Sequence, residues 1–283
     1  MNPRSPGNTA SLRIVQIGYL DEQLGDCTYE PLLNPLPPQP DESYLFFESR
    51  VLADLVARGE HRSARHFGVV SHQFTQKLAN SRKWRLPLRN VGRTTFDAAR
   101  FAEFVAKHED APLIALARAV PHSVFGFAEI MHPGLLDATK TLLNRIGVVA
   151  NLHVQNQTPI YFNYFVAQPE LLDDYVGRIL QPVIDAVAND ADLQRLLRCD
   201  SHYNRPWPAA LAQLYGLRQY PLHAFIAERL INVYVELTQT PVVYFDESPD
   251  LAWPLSWYRH VERIHRPLVK LAMPWMRLLR RHP

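Results

Sequence analysis

In the stretch PLHAFIAERLINVYVE, residues 221–236, two charged side chains stand together inside an apolar repeat. Phe225, Ile226, Leu230, Val233 and the following Leu237 recur at helical spacing and mark one apolar face. Glu228 and Arg229 interrupt it where a plain core helix would carry Ala or Leu. A carboxylate in such a setting can activate a hydroxyl, and a guanidinium can hold a phosphate or a sugar. The bland alternative puts one at the core edge and the other in solvent. Neighbours on a helix point about 100° apart and do not pair with each other.

Three other polar groups stand in apolar runs or near strand ends. Ser71-His72-Gln73-Phe74 follows a short apolar run, with Lys77 close behind. His72 can donate to a phosphate or act as a base, and Lys77 can meet a diphosphate as a point charge; either can equally be an ordinary surface residue. Glu129 lies among Phe127, Ile130 and Met131, with His132 before Pro133-Gly134. An acid among apolar neighbours suits proton transfer, whereas an amphipathic turn would put it at the surface and make His132 a turn residue. Asn163-Tyr164 sits between aromatics, and Asn is depleted in strands. It can bond a ligand or satisfy a neighbouring backbone group. In open α/β sheets ligands gather at the carboxyl ends of strands, which favours such positions.

No metal box stands out. Asp190-Ala191-Asp192 falls between two helical stretches, where Asp is an ordinary cap. There is no GxGxxG, no P-loop and no GxSxG, so dinucleotide oxidoreductases, P-loop ATPases and serine hydrolases find little support.

The elements that must carry these groups alternate between strand and helix. LRIVQIGY, 12–19, is a first strand. NPLPPQP, with four prolines in seven positions, cannot be regular structure. Residues 43–59 read as a helix capped by Asp41 or Ser43 and closed by Gly59, and 67–71 as a strand. Helical spacing covers 96–107, and 111–120 is a candidate buried strand. A short helix or loop leads to a turn at Pro133-Gly134 and a helix closed by Gly147. Residues 159–168 read as a strand. The helix from Pro169 is expected to kink before Pro182, 221–236 forms one long helix, and 241–246 is a last strand. This alternation predicts an α/β fold with a parallel or mixed sheet.

The 283 residues are 47% hydrophobic, enough for a sizeable core. Cys27 and Cys199 are too few for a disulfide framework, which fits a reducing cytoplasm. The opening MNPRSPGNTASLR has no apolar signal core, and no run approaches the roughly 20 apolar residues of a membrane span. The net charge of +2 is uneven: residues 253–283 carry +6 and the rest −4. An acidic body argues against nucleic acid as a partner. The basic tail holds Trp253, Trp257, Tyr258 and Trp275, a mixture suited to an anionic membrane surface. A helix packed on the body with its arginines in water is the alternative, and Pro267 and Pro274 interrupt either one.

Five stretches, IVQIGYLDEQ, HFGVVSHQFTQKL, FGFAEIMHPGLL, IYFNYFVAQPELLDDYV and FIAERLINVYV, stand in an order that resembles bacterial glycosyltransferase-like proteins of capsular and lipopolysaccharide loci. The resemblance spans about residues 12–245. It implies a GT-A-like, Rossmann-related core over residues 1–252, with 253–283 as a helical extension. It also implies transfer of a sugar from a nucleotide sugar to a glycan or lipid-linked acceptor, at the inner face of the cell membrane. In that reading Glu129, then Glu228, are the candidate bases. His72, Lys77, His132, Asn163, Tyr164 and Arg229 contact the substrate. Such enzymes commonly hold Mn²⁺ or Mg²⁺ through an acidic D-x-D after a buried strand. Here PLIALARAV is followed by Pro121-His122, so a metal is left without an identified ligand pair. That departure keeps open a non-catalytic glycan-binding or scaffold protein at the membrane surface.

Overall fold

The computed structural model describes residues 10–35, 46–75, 96–116, 124–152, 159–160, 163–201 and 219–245. Its centre is a six-stranded sheet in the order β2-β1-β3-β5-β4-β6. The strands are β1 (Ala10–Gly18), β2 (Glu30–Leu33), β3 (Ala64–Ser71), β4 (Leu113–Ala115), β5 (Phe165–Ala167) and β6 (Val242–Tyr244). β1 pairs in parallel with β2 and β3, and β4 with β6; β5 lies antiparallel between β3 and β4. The expected α/β class with a mixed sheet flanked by helices is therefore what the chain forms.

The helices are α1 (Glu48–Ala57), α2 (Ala98–Lys107), α3 (Val124–Met131), α4 (Leu135–Arg145), α5 (Pro169–Tyr175), α6 (Gln181–Asn189), α7 (Ala191–Leu197), α8 (Leu222–Ala227) and α9 (Leu230–Thr238). Alternation in the strands divides the core in two. Val15, Ile17, Phe67, Val69 and Phe165 face one side and pack with α1, α4 to α6, α8 and α9. Ile14, Val70, Ile114 and Val166 face the other, against Phe101 and Val105 of α2. Those two are one helical turn apart, and Asp97 caps the helix by accepting from Arg100 N at 3.0 Å.

Gly68 lets β5 enter the sheet. A Cβ there would lie 2.5 Å from the Phe165 carbonyl oxygen and 2.8 Å from Val166 Cγ1. Only a residue without a side chain admits that approach.

Several boundaries differ from expectation. β2, a four-residue edge strand containing Pro31, falls where a plain connection was expected. Pro31 is tolerated because edge strands leave one row of backbone groups unpaired. α1 starts at Glu48 rather than at residue 43, because Phe47 has φ 44° and ψ −126°, outside helical space. Asp41 and Ser43, its expected caps, lie outside the described residues, as do Pro37, Pro38 and Pro40 of the Pro-rich run and the tail 253–283. Gly59 closes the helix as expected, at φ 74°.

The kink before Pro182 takes the form of a π-helical turn over Val176–Leu180, in which Gln181 N bonds Val176 O. Proline lacks an N–H and its ring crowds the carbonyl four residues earlier, so the ladder widens by one residue ahead of it. The single long helix expected over 221–236 is instead α8 and α9, broken at Glu228-Arg229.

Candidate functional site

β1 lies between β2 and β3, so the chain adds β2 on one side of β1 and then crosses over to add β3, also parallel, on the other. In open α/β sheets such a switch in strand order favours ligand binding at the carboxyl ends of the two strands. Tyr19 leaves β1 there and His72 leaves β3, with ring centroids 6.0 Å apart and nearly perpendicular. His72 N continues the ladder by donating to Ile17 O at 2.9 Å.

Gln16 fixes both rims. It is 1% exposed in the middle of β1. Its Oε1 accepts from Thr28 N at 2.8 Å and Tyr29 N at 3.1 Å, and its Nε2 donates to His72 O at 3.1 Å. A polar side chain inside an otherwise apolar strand was the sequence signal for this residue.

The antiparallel β5 begins at the edge where its neighbours end, which brings Asn163 and Tyr164 to the carboxyl ends of β3 and β4. Leu116 N, just past β4, donates to Tyr164 O at 2.8 Å. Tyr164 OH lies 3.4 Å from Ser71 Oγ, beside His72. Asn163 Nδ2 donates to Ser49 Oγ, in the first turn of α1, at 2.8 Å. His72, Asn163 and Tyr164 are thus brought together from distant parts of the chain. Lys77 lies outside the described residues.

α1 also starts at this edge, with the Phe47 ring 5.4 Å from Tyr19. Between Phe47 and Ser49 stands Glu48, 8% exposed. Among the described residues it finds no hydrogen-bond or ion-pair partner. Glu48 escaped sequence reading because an acid in the first turn of a helix is commonplace. The Phe46-Phe47 pair before it was the only cue.

A second cluster surrounds Glu228-Arg229. Arg229 is 8% exposed, and its NH1 donates to Phe225 O at 2.5 Å, covering a carbonyl at the end of α8. The same NH1 lies 3.7 Å from Glu228 Oε2. Because the helix breaks here, the two neighbours approach each other, contrary to the expectation for a continuous helix. His132 is buried; its ring stacks on Phe225 at 3.9 Å, and its Nδ1–H donates to Ser201 O at 2.9 Å. Phe46 connects this cluster to the start of α1, its ring 5.4 Å from His223 of α8.

Glu129 belongs to neither group. Its Oε1 accepts from Gly134 N at 2.9 Å and its Oε2 from Leu136 N at 2.8 Å. Both oxygens are engaged in closing the exposed amino end of α4, which gives the acid a structural task. Asp190 does the same for α7, accepting from Asp192 N at 2.9 Å and Leu193 N at 3.0 Å. Those bonds, chiefly the one from Leu193, hold its carboxyl below the usual carboxylate range.

Among the described residues no three His, Cys, Asp or Glu side chains stand where they could hold a metal ion. No helix among them is long and apolar enough to cross a membrane. Comparison with family models, curated proteins and solved structures gave no match to this chain.

Proposed function

We propose that the protein is a glycosyltransferase with a GT-A-like core, moving a sugar from a nucleotide sugar to a glycan or lipid-linked acceptor of surface polysaccharide. The observation that supports this reading is the switch in strand order at the adjacent parallel strands β1 and β3, with polar and aromatic side chains at their carboxyl ends. Tyr19 and His72 stand there with ring centroids 6.0 Å apart, Tyr164 OH lies 3.4 Å from Ser71 Oγ, and Asn163 bonds Ser49. Such a switch point is where α/β sheets take nucleotides. Aromatic rings can cover a base or a sugar face, and amide and hydroxyl groups can read sugar hydroxyls.

In this mechanism a base takes the proton of the acceptor hydroxyl as its oxygen bonds the anomeric carbon. The bond from that carbon to the phosphate oxygen breaks, and its electron pair leaves with the nucleoside diphosphate. His72 meets the charge that develops on the leaving group. The tail 253–283 supplies attachment to the anionic inner face of the membrane, where lipid-linked acceptors are found.

A thermal-shift titration of the full chain with nucleoside diphosphates and their sugars, with and without Mn²⁺ or Mg²⁺, tests the reading. Ligand at about 100 times its Kd stabilises the fold by about 2.7 kcal/mol, a readily measured shift. Binding of glycans with no response to any nucleotide would favour a glycan-binding scaffold, which the missing acidic pair after β4 also suits.

A further inference from the structure

We infer that the His66 imidazole is an acid-sensitive latch: it fastens the connection between α2 and β4 onto β3, and uptake of one proton releases that connection while the sheet stays formed. The latch does not depend on the glycosyltransferase reading. The connection, residues 108–112, lies at the surface, and none of its residues is fully buried. His66 lies beneath it in β3, 0% exposed. Its Nε2–H donates to Ala111 O at 2.7 Å. A carbonyl only accepts, so Nε2 carries the hydrogen and Nδ1 is the bare nitrogen. Nδ1 is buried and has no hydrogen-bond partner among the described residues. A second proton must go to Nδ1, where it stands as a charged N–H with no acceptor and out of reach of water.

The other ties to the connection are at the surface. Arg65, next to His66, reaches outward to Glu109 at 2.9 Å and Asp110 at 3.1 Å, and all three side chains are exposed. Exposed ion pairs hold little. Gln168, just past β5, donates from Nε2 to Glu109 O at 3.2 Å and from its backbone N to Pro112 O at 3.0 Å. At the end of α2, His108 Nδ1–H donates to Phe104 O at 2.9 Å. Arg65, His108, Glu109 and Asp110 are thus the charged and titratable groups around the latch; Leu12 of β1, opposite His66, and Ala167 of β5 add none. Arg65 opposes an imidazolium and Glu109 favours it, and neither bonds Nδ1. Burial is the largest influence and holds the His66 pKa below the ordinary 6.5. Lifting the connection returns water to the ring and costs surface bonds that water can replace. The open form therefore binds the proton that the closed form resists, and opening is favoured as pH falls below 6.5. Above that value the ring is neutral in both forms and the latch stays shut. The pairing of Leu113 with Ala167 begins just beyond the connection and marks where the opening stops. Release frees one end of α2, whose Phe101 and Val105 cover that face of the sheet.

Peptide-resolved hydrogen exchange on the full chain at about pH 8 and about pH 5, corrected for the intrinsic exchange rate, tests the latch. An open form that titrates at 6.5, set against a closed form that stays neutral, is enriched up to about 30-fold at about pH 5. The expected result is a loss of protection over residues 108–112 of about 5- to 30-fold, with β1 and β5 within about threefold of their values at the higher pH. His66→Gln keeps an N–H for Ala111 O and takes up no proton, so it is expected to abolish the loss. His108→Gln is expected to retain it. Unchanged protection in wild type overturns the proposal. So does a loss that persists in His66→Gln, which would assign it to His108, Glu109 or Asp110. Equal loss throughout the chain would mean that the whole fold opens and that no separate latch exists. Exchange of the imidazole C2 hydrogens of wild type reads the His66 titration without any variant. A midpoint below 6.5 is expected, and a midpoint at or above it overturns the proposal even if His66→Gln fails to fold.

Discussion

Asn163 and Ser49 are joined by a 2.8 Å hydrogen bond although 114 residues separate them in the chain. Asn163 is 7% exposed and Ser49 2%, so water cannot easily replace either partner. The bond ties the residues that lead into β5 to the first turn of α1. Asn163→Ala leaves a buried hydroxyl unsatisfied and is expected to lower unfolding free energy by about 1–3 kcal/mol. Urea denaturation reads this directly, and a loss below 0.5 kcal/mol, about the noise of a surface change, would show the pair to be incidental.

Gln16 predicts a related loss with a different signature. Gln16→Leu keeps the volume of the strand but strands Thr28 N, Tyr29 N and His72 O. The expected cost is about 1–3 kcal/mol. His72 loses one of its backbone ties and keeps the one to Ile17 O, so ligand affinity beside His72 is expected to fall as well. Calorimetry with the ligand found by thermal shift separates the two effects, and unchanged affinity would remove Gln16 from the site.

Glu129→Ala should behave as the loss of a helix cap. Two backbone donors at the start of α4 lose their acceptor, and the expected destabilisation is about 1–2 kcal/mol. Nucleotide binding measured on the folded fraction should stay within twofold of wild type. A large loss of binding without loss of stability would return Glu129 to the substrate.

His66 predicts a dependence on pH. It is fully buried in β3, and its Nε2–H donates to Ala111 O at 2.7 Å. Burial lowers its pKa from the ordinary 6.5, against the opposing pull of the Ala111 carbonyl. The unfolded chain then binds more protons than the folded chain in the window below 6.5. Stability must rise with pH across that window and reach its full value above it. His66→Gln, which can still donate to Ala111, is expected to flatten this slope in urea denaturation series. An unchanged slope would assign it to another group.

Gly68→Ala tests the entry of β5. The added methyl meets the Phe165 carbonyl, a backbone atom that cannot swing aside. A loss of about 1–3 kcal/mol or more is expected, read by denaturation. A neutral effect would mean that β3 and β5 separate easily.

Much of the fold is legible because the strongest signals are local. Ile14, Val15 and Ile17 mark β1, Gly59 and Gly147 stop helices, and Pro182 announces the π turn one residue pair before it. What is hidden depends on partners far along the chain. β2 is short, contains a proline and exposes most of its residues, so only its pairing with β1 makes it a strand. The break at Glu228-Arg229 was masked because its apolar neighbours keep helical spacing on both sides. In the site, His72, Asn163 and Tyr164 were readable as polar residues in apolar runs. Glu48 was not, since its environment is made by residues on other elements.

The antiparallel β5 also bears on how the chain assembles. Phe67 pairs with Ala167, a separation of 100 residues, and β4 waits still longer for β6, with Leu113 opposite Val242. Pairings this remote in sequence slow folding, because loop closure must precede any gain from contact. During synthesis β1, β2 and β3 emerge and can pair while one side of β3 stays bare. That bare side is a template for another chain until residue 165 has been made and has reached it. The gap that Gly68 leaves for β5 is thus also the point where a nascent chain is most open to aggregation, and a chaperone that covers β3 would protect that edge until β5 arrives.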